Sequence, residues 1–170
     1  MPVKSLDSEQ DSNIAGIVDV GIIVVAHFNN PIQVEMIEFL KPILSWKKRL
    51  LIPNTTFLGA FHIMTSYLRV SRVDAKTALL ASFTIDSPCF VSDIRKSLVV
   101  EALEQASCYK IESWDGYLVA LAKSVGTNII YTLDRKLSKA TEIITISPLQ
   151  ENRLKEYHNW LEAKLRKAQS

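Results

Sequence analysis

Apolar positions along this chain alternate between short continuous runs and stretches with helical spacing, and that alternation predicts its elements. Gly16-Ile-Val-Asp-Val20 reads as a first strand running into Gly21-Ile-Ile-Val-Val-Ala26. A continuous apolar run suits a strand buried on both faces of a parallel sheet, with a buried helix after it. Pro31 opens a helix with Ile32, Met36, Phe39, Leu40, Ile43 and Leu44 on one face, and Leu50-Leu51-Ile52 is the next strand. Asn54 or Thr55 is placed to cap a helix whose stripe is Phe57, Phe61, Met64 and Leu68. Residues 73–83 form a short helix, and Pro88-Cys-Phe-Val91 a short edge strand. Ser92 or Asp93 then caps a helix bearing Ile94, Leu98, Ala102 and Ala106.

The stretch 112–136 is the most informative. Ser113 is placed to cap a helix, and Asp115 falls within its first turn, where backbone N–H groups and the helix dipole favour negative charge. Trp114, Leu118, Leu121 and Val125 recur at i, i+4, i+7 and i+11, which predicts a buried stripe, and Gly126 is the expected stop. Ile129-Ile130-Tyr131 is a short apolar strand with Asp134 just past its end. Glu142-Ile-Ile-Thr-Ile146 is the last strand, and Pro148 breaks the chain. Residues 149–170 form an amphipathic helix with Leu154, Tyr157, Leu161 and Leu165 on one side, which either packs on the domain or offers a partner surface. Strands alternating with helices, without repeats or low-complexity linkers, predict a three-layer α/β/α sandwich over residues 14–148 on a mainly parallel sheet. Residues 1–13, polar and acidic, read as a frayed, disordered tail.

Composition narrows the partners more than the fold. The chain's 170 residues suit one domain, and 48% hydrophobic with 22% charged residues is the balance of an ordinary globular protein. No apolar run is long enough to span a bilayer, and residues 1–13 lack the basic-then-apolar order of a signal peptide. The expectation is a cytoplasmic protein without a membrane partner. Cys89 and Cys108, without zinc-site spacing, read as buried, reduced core residues. The net charge of +2 is too small to identify a nucleic-acid binder. Its whole excess comes from the terminal helix, where Arg153, Lys155, Lys164, Arg166 and Lys167 outnumber Glu151, Glu156 and Glu162. Lys47-Lys48-Arg49 reads as a solvated loop that could touch phosphates, and the lone His62 as a surface or core residue.

Candidate chemistry rests on three acids. Asp19 interrupts an apolar run, where a carboxylate is costly unless it is paired, hydrogen-bonded or bound to a metal. In a parallel sheet the end of the first strand, the start of the 113 helix and the end of the 129 strand can meet at one carboxyl edge, where ligands bind. Asp19, Asp115 and Asp134 would then repel one another and raise one another's pKa unless a cation neutralised them. Hard oxygen donors suit Mg²⁺ or Mn²⁺, which can activate water for phosphodiester hydrolysis. A phosphatase or phosphoacceptor using Asp19 as nucleophile would want a further acid close after it, and Val20-Gly21 supplies none. Five glycines without a G-x-G-x-x-G or Walker pattern argue against nucleotide-driven chemistry.

These residues resemble the PIN domain family, the fold of prokaryotic VapC-type toxin nucleases. The likeness spans about residues 17–146 and is clearest in Val18-Asp19-Val20-Gly21, in Ser113-Trp114-Asp115-Gly116-Tyr117-Leu118-Val119-Ala120 and in Tyr131-Thr132-Leu133-Asp134. It implies an α/β/α nuclease-like fold and Mg²⁺- or Mn²⁺-dependent cleavage of single-stranded or structured RNA. It also implies catalytic and metal-binding roles for Asp19, Asp115 and Asp134, homodimers paired through helices and an antitoxin-type protein partner. Two positions depart from the family pattern: Gly21 stands where an Asn is usual, and Gly59 where a helix usually carries a glutamate. Glu112, three residues before Asp115, is a candidate replacement; otherwise it is a solvated residue before the cap. The expected activity is that of a metal-dependent endoribonuclease. The alternative is a catalytically degenerate PIN-like module that binds RNA or protein.

Overall fold

The computed structural model describes residues 13–169. Strands β1 (Gly16–Val18), β2 (Leu50–Pro53), β3 (Phe90–Val91), β4 (Ile129–Tyr131) and β5 (Ile144–Ile146) form a parallel sheet in the order β3-β2-β1-β4-β5. The helices are α1 (Val20–Ala26), α2 (Gln33–Leu44), α3 (Thr55–Ser66), α4 (Arg72–Phe83), α5 (Lys96–Tyr109), α6 (Ser113–Ser124) and α7 (Glu151–Gln169), with a 3-10 helix at Arg135–Lys139.

The strands are short and apolar on both faces, and their side chains alternate between two cores. Val18, Leu50 and Ile52 join α1, α2, α3, α4 and α7 in one core, while Ile17, Leu51 and Ile130 join α5 and α6 in the other. Helices therefore cover both faces of the sheet, in the three-layer α/β/α arrangement that the alternating pattern predicts. No helix among the described residues is long and apolar enough to cross a membrane.

Several local expectations need correction. β1 stops at Val18, so Asp19 is not inside a strand but is the N-cap of α1. β5 begins at Ile144 and leaves out Glu142. Asn54 is the N-cap of α3 without making a side-chain capping bond, and its Oδ1 is buried with no hydrogen-bond partner among the described residues. α5 is capped by neither Ser92 nor Asp93: Arg95 is its N-cap, and Asp93 instead accepts from the Arg95 N–H at 3.2 Å in a local turn. α6 likewise has Glu112 as N-cap, with Ser113 already helical.

The stripe drawn through Trp114 is wrong at its first residue. α6 is buried continuously from Gly116 to Ala122, where the sheet and α5 enclose it, but Trp114 precedes that stretch and is 61% exposed. At Gly116 the backbones of α5 and α6 approach too closely for a side chain. A Cβ there would lie 2.3 Å from the Ala102 carbonyl oxygen. At the other end Gly126, at φ 77°, is the stop: its N–H donates to the Lys123 carbonyl and that of Thr127 to the Ala122 carbonyl, the 5→2 and 6→1 bonds of a Schellman motif. Cys89 is buried as expected, whereas Cys108 is exposed on α5.

α7 packs on the domain. Leu154 and Tyr157 enter the first core, Leu161 and Leu165 lie against it, and the Trp160 ring lies 5.9 Å from that of Phe28. The expected tail lies outside the described residues, apart from Asn13.

Candidate active site

The chain runs outward from β1 to β2 and β3, then returns to β4 on the other side of β1. Loops leaving two strands at such a reversal diverge and leave a crevice at their carboxyl ends. Asp19 follows β1 directly and Asp134 follows β4, so both acids flank this reversal. The first turn of α6 brings Asp115 to the same place. All three aspartates line one cavity of about 390 Å³, together with Glu112 and Gly59.

Thr132 joins two of these acids. Its hydroxyl donates to Asp19 Oδ2 at 2.6 Å and accepts the Asp134 N–H at 3.0 Å. The Val20 N–H donates to Asp19 Oδ1 at 2.6 Å, so both carboxylate oxygens are held. The Asp19 backbone N–H closes the β1–β4 ladder by donating to Tyr131 at 2.9 Å. Asp134 Oδ1 accepts from the Lys136 N–H at 2.8 Å and so caps the 3-10 helix. Asp134 thus caps the 3-10 helix and lines the cavity at the same time.

Burial pushes the Asp19 carboxyl above the usual carboxylate range; its two hydrogen bonds oppose this, and the Asp134 charge adds to it. Asp115 is pushed up to about 6, by burial first and then by the charges of Asp19, Asp134 and Glu112, with Lys136 opposing. None of the three aspartates forms an ion pair among the described residues.

Chemically the donors fit a hard divalent cation, since all are anionic oxygens whose mutual repulsion such an ion would relieve. Their spacing is looser than a closed ligand cage: among the described residues no group of three or more His, Cys, Asp or Glu is arranged to hold a metal. Mg²⁺ does not demand one, because it keeps several waters and binds through one or two carboxylates plus substrate phosphates.

The two departures fall in the same place. Gly21 and Gly59 both line the cavity, and a Cβ on Gly59 would meet Val20 Cγ2 at 3.3 Å. Glu112, the N-cap of α6, is exposed and lines the cavity. Glu35 lies elsewhere, bound by Arg153. Sequence reasoning missed Thr132; the one signal for it was a hydroxyl two residues before an aspartate at a strand end, the spacing of a side-chain turn. From Asp19 and Asp134 a larger groove, of about 680 Å³, continues past Ile63 to Lys155, His158 and Leu161.

No family model matches this chain, and no curated protein does. Among solved structures it is similar to the crystal structure of PAE2754 from Pyrobaculum aerophilum, with a TM-score of 0.56 over 93% of this chain and 99% of that one. The two are 17% identical. That likeness shows the fold.

Proposed function

We propose that this chain is a PIN-type, metal-dependent endoribonuclease that hydrolyses RNA phosphodiester bonds at Asp19, Asp115 and Asp134. One observation carries the reading: three carboxylates from three separate elements line a single cavity at the reversal of strand order, none of them in an ion pair among the described residues. Capping accounts for Asp19 and Asp134 one at a time, not for three like charges gathered where they repel. Perturbed acids in a cleft are the pattern of a functional site.

The three aspartates would hold Mg²⁺ or Mn²⁺, which when bound supplies a Lewis acid for the phosphate and lowers the pKa of water. Asp19, fixed through both oxygens, sets the floor of the site. Thr132 keeps Asp19 and Asp134 in register through one hydroxyl. Asp115, raised to about 6 by burial and by its acidic neighbours, is the acid whose charged form a bound cation would favour most.

The alternative, a degenerate PIN-like module that binds RNA or protein, is favoured by Gly59, which brings no acid into the cavity. Incubating an unstructured RNA with the purified chain separates the two. Cleavage that needs Mg²⁺ or Mn²⁺ and is lost in Asp115→Asn supports the nuclease. Activity in EDTA, or full activity in that variant, rejects it. RNA bound but never cut assigns the chain to the alternative.

A further inference from the structure

Of all the Phe, Tyr and Trp side chains, only Tyr67 and Trp114 are largely exposed, each at 61%. They come from distant parts of the chain, one at the C-cap of α3 and the other in the first turn of α6. Both line the cavity that holds the three aspartates. Each is braced by one perpendicular neighbour: Trp114 meets Tyr117 at 6.1 Å and 85°, and Tyr67 meets His62 at 5.6 Å and 89°. Tyr117 is itself held, its hydroxyl donating to the Asp93 carbonyl at 2.8 Å. Two steadied rings thus stay open to solvent at the acidic cavity and nowhere else.

The charge of the cavity explains what such rings could do. A phosphodiester approaching three carboxylates is repelled, so its binding needs a contribution that does not depend on phosphate charge. Stacking of bases on aromatic faces supplies one and is available to any base whose face is uncovered. In a duplex those faces are occupied by neighbouring bases, and proteins that read RNA through stacking take unpaired segments. Basic side chains border the acids: the Lys136 charge acts on Asp115, and Arg135 and Lys155 line the adjoining groove, where flanking phosphates would run.

We propose that Tyr67 and Trp114 are stacking platforms, each holding an unpaired base of a nucleic-acid strand at the acidic cavity. This rests on reading the cavity as a phosphodiester site, yet it concerns binding and can be tested apart from cleavage. Fluorescence anisotropy with the full-length Asp115→Asn protein in EDTA, using labelled short unstructured RNA, DNA of the same sequence and a blunt RNA hairpin closed by a non-nucleotide linker, reads it directly. The unpaired strands bind more tightly than the hairpin, and adding Trp114→Ala or Tyr67→Ala weakens their binding about tenfold each. Trp114→Phe and Tyr67→Phe keep most of the affinity, which separates loss of a ring from loss of fold. Equal binding of RNA and DNA, or preference for RNA, both agree with stacking. Unchanged affinity in the alanine variants, a hairpin bound as tightly as the single strand, or no binding of any oligonucleotide overturns it. Platform losses without cleavage by the wild-type chain would reject the nuclease and leave the platforms standing.

Discussion

Two clusters of charged side chains in this molecule are built on opposite rules. Where α7 meets α2, Arg153 donates through Nε to Glu35 at 2.8 Å and through a terminal nitrogen to the Pro31 carbonyl at 2.8 Å, and it also pairs with Glu156. Opposite charges meet there, and the hydrogen bond from Arg153 holds the Glu35 carboxyl below its usual range. At the carboxyl edge of the sheet like charges meet, and Asp115 is pushed up to about 6. The first cluster satisfies its groups and fastens a helix. The second keeps a repulsion that Lys136 only partly offsets, as the proposed cation site requires.

The widest separation between the two should appear in activity. Asp19→Asn is expected to lower RNA cleavage by about a hundredfold or more, whereas Arg153→Ala should leave the rate per folded molecule unchanged. Single-turnover assays on both variants check this, and comparable losses would break the distinction. Thr132→Val should follow, because it strips Asp19 Oδ2 and the Asp134 N–H of their shared partner. Removing such a positioning group costs about 10- to 100-fold in metal affinity or activity. Leaving buried polar groups unpaired also costs about 1–3 kcal/mol of stability, readable by urea denaturation.

Stability against pH sharpens the comparison further. With Asp115 raised to about 6 from an ordinary value of 3.8, the folded state binds the proton that the unfolded state has released. Stability due to this group therefore falls as pH rises through that window, and it stays low above pH 6. In metal-free buffer at neutral pH, Asp115→Asn should accordingly melt higher than the wild type while cleaving nothing. Glu35 has the opposite sign. Its depressed carboxyl contributes stability above its ordinary value of 4.5, lost as pH falls through the folded-state value. Arg153→Ala should lower the melting temperature near neutrality, and the deficit should shrink in acid. This is the smallest of the effects, since the pair is substantially exposed.

How much of this could be read beforehand depended on the range of the forces involved. The layers and the parallel sheet followed from apolar runs in β1, β2 and β4, whose burial on both faces leaves no polar alternation. Asp19 and Asp134 were visible because a charge at the end of such a run stands out. The end of each helix was less legible: Ser113 has the chemistry of a cap, yet the chain turns one residue earlier, at Glu112. Trp114 fits the helical period, but its fate depended on how far α5 reaches along α6, and α5 meets α6 at Gly116, beyond Trp114. Cys108 was misjudged for a similar reason, since a small apolar residue does not announce which face of α5 it occupies. Thr132 could not be seen at all, because its role exists only once β1 and β4 pair and set its hydroxyl beside Asp19.

The direct test of the central claim, that Asp19, Asp115 and Asp134 form one cation site, is a calorimetric titration of the metal-free chain with Mn²⁺. The wild type should show one saturable binding event, weakened about tenfold or more in Asp115→Asn. No binding heat in the wild type, or the same isotherm in the variant, would contradict the claim.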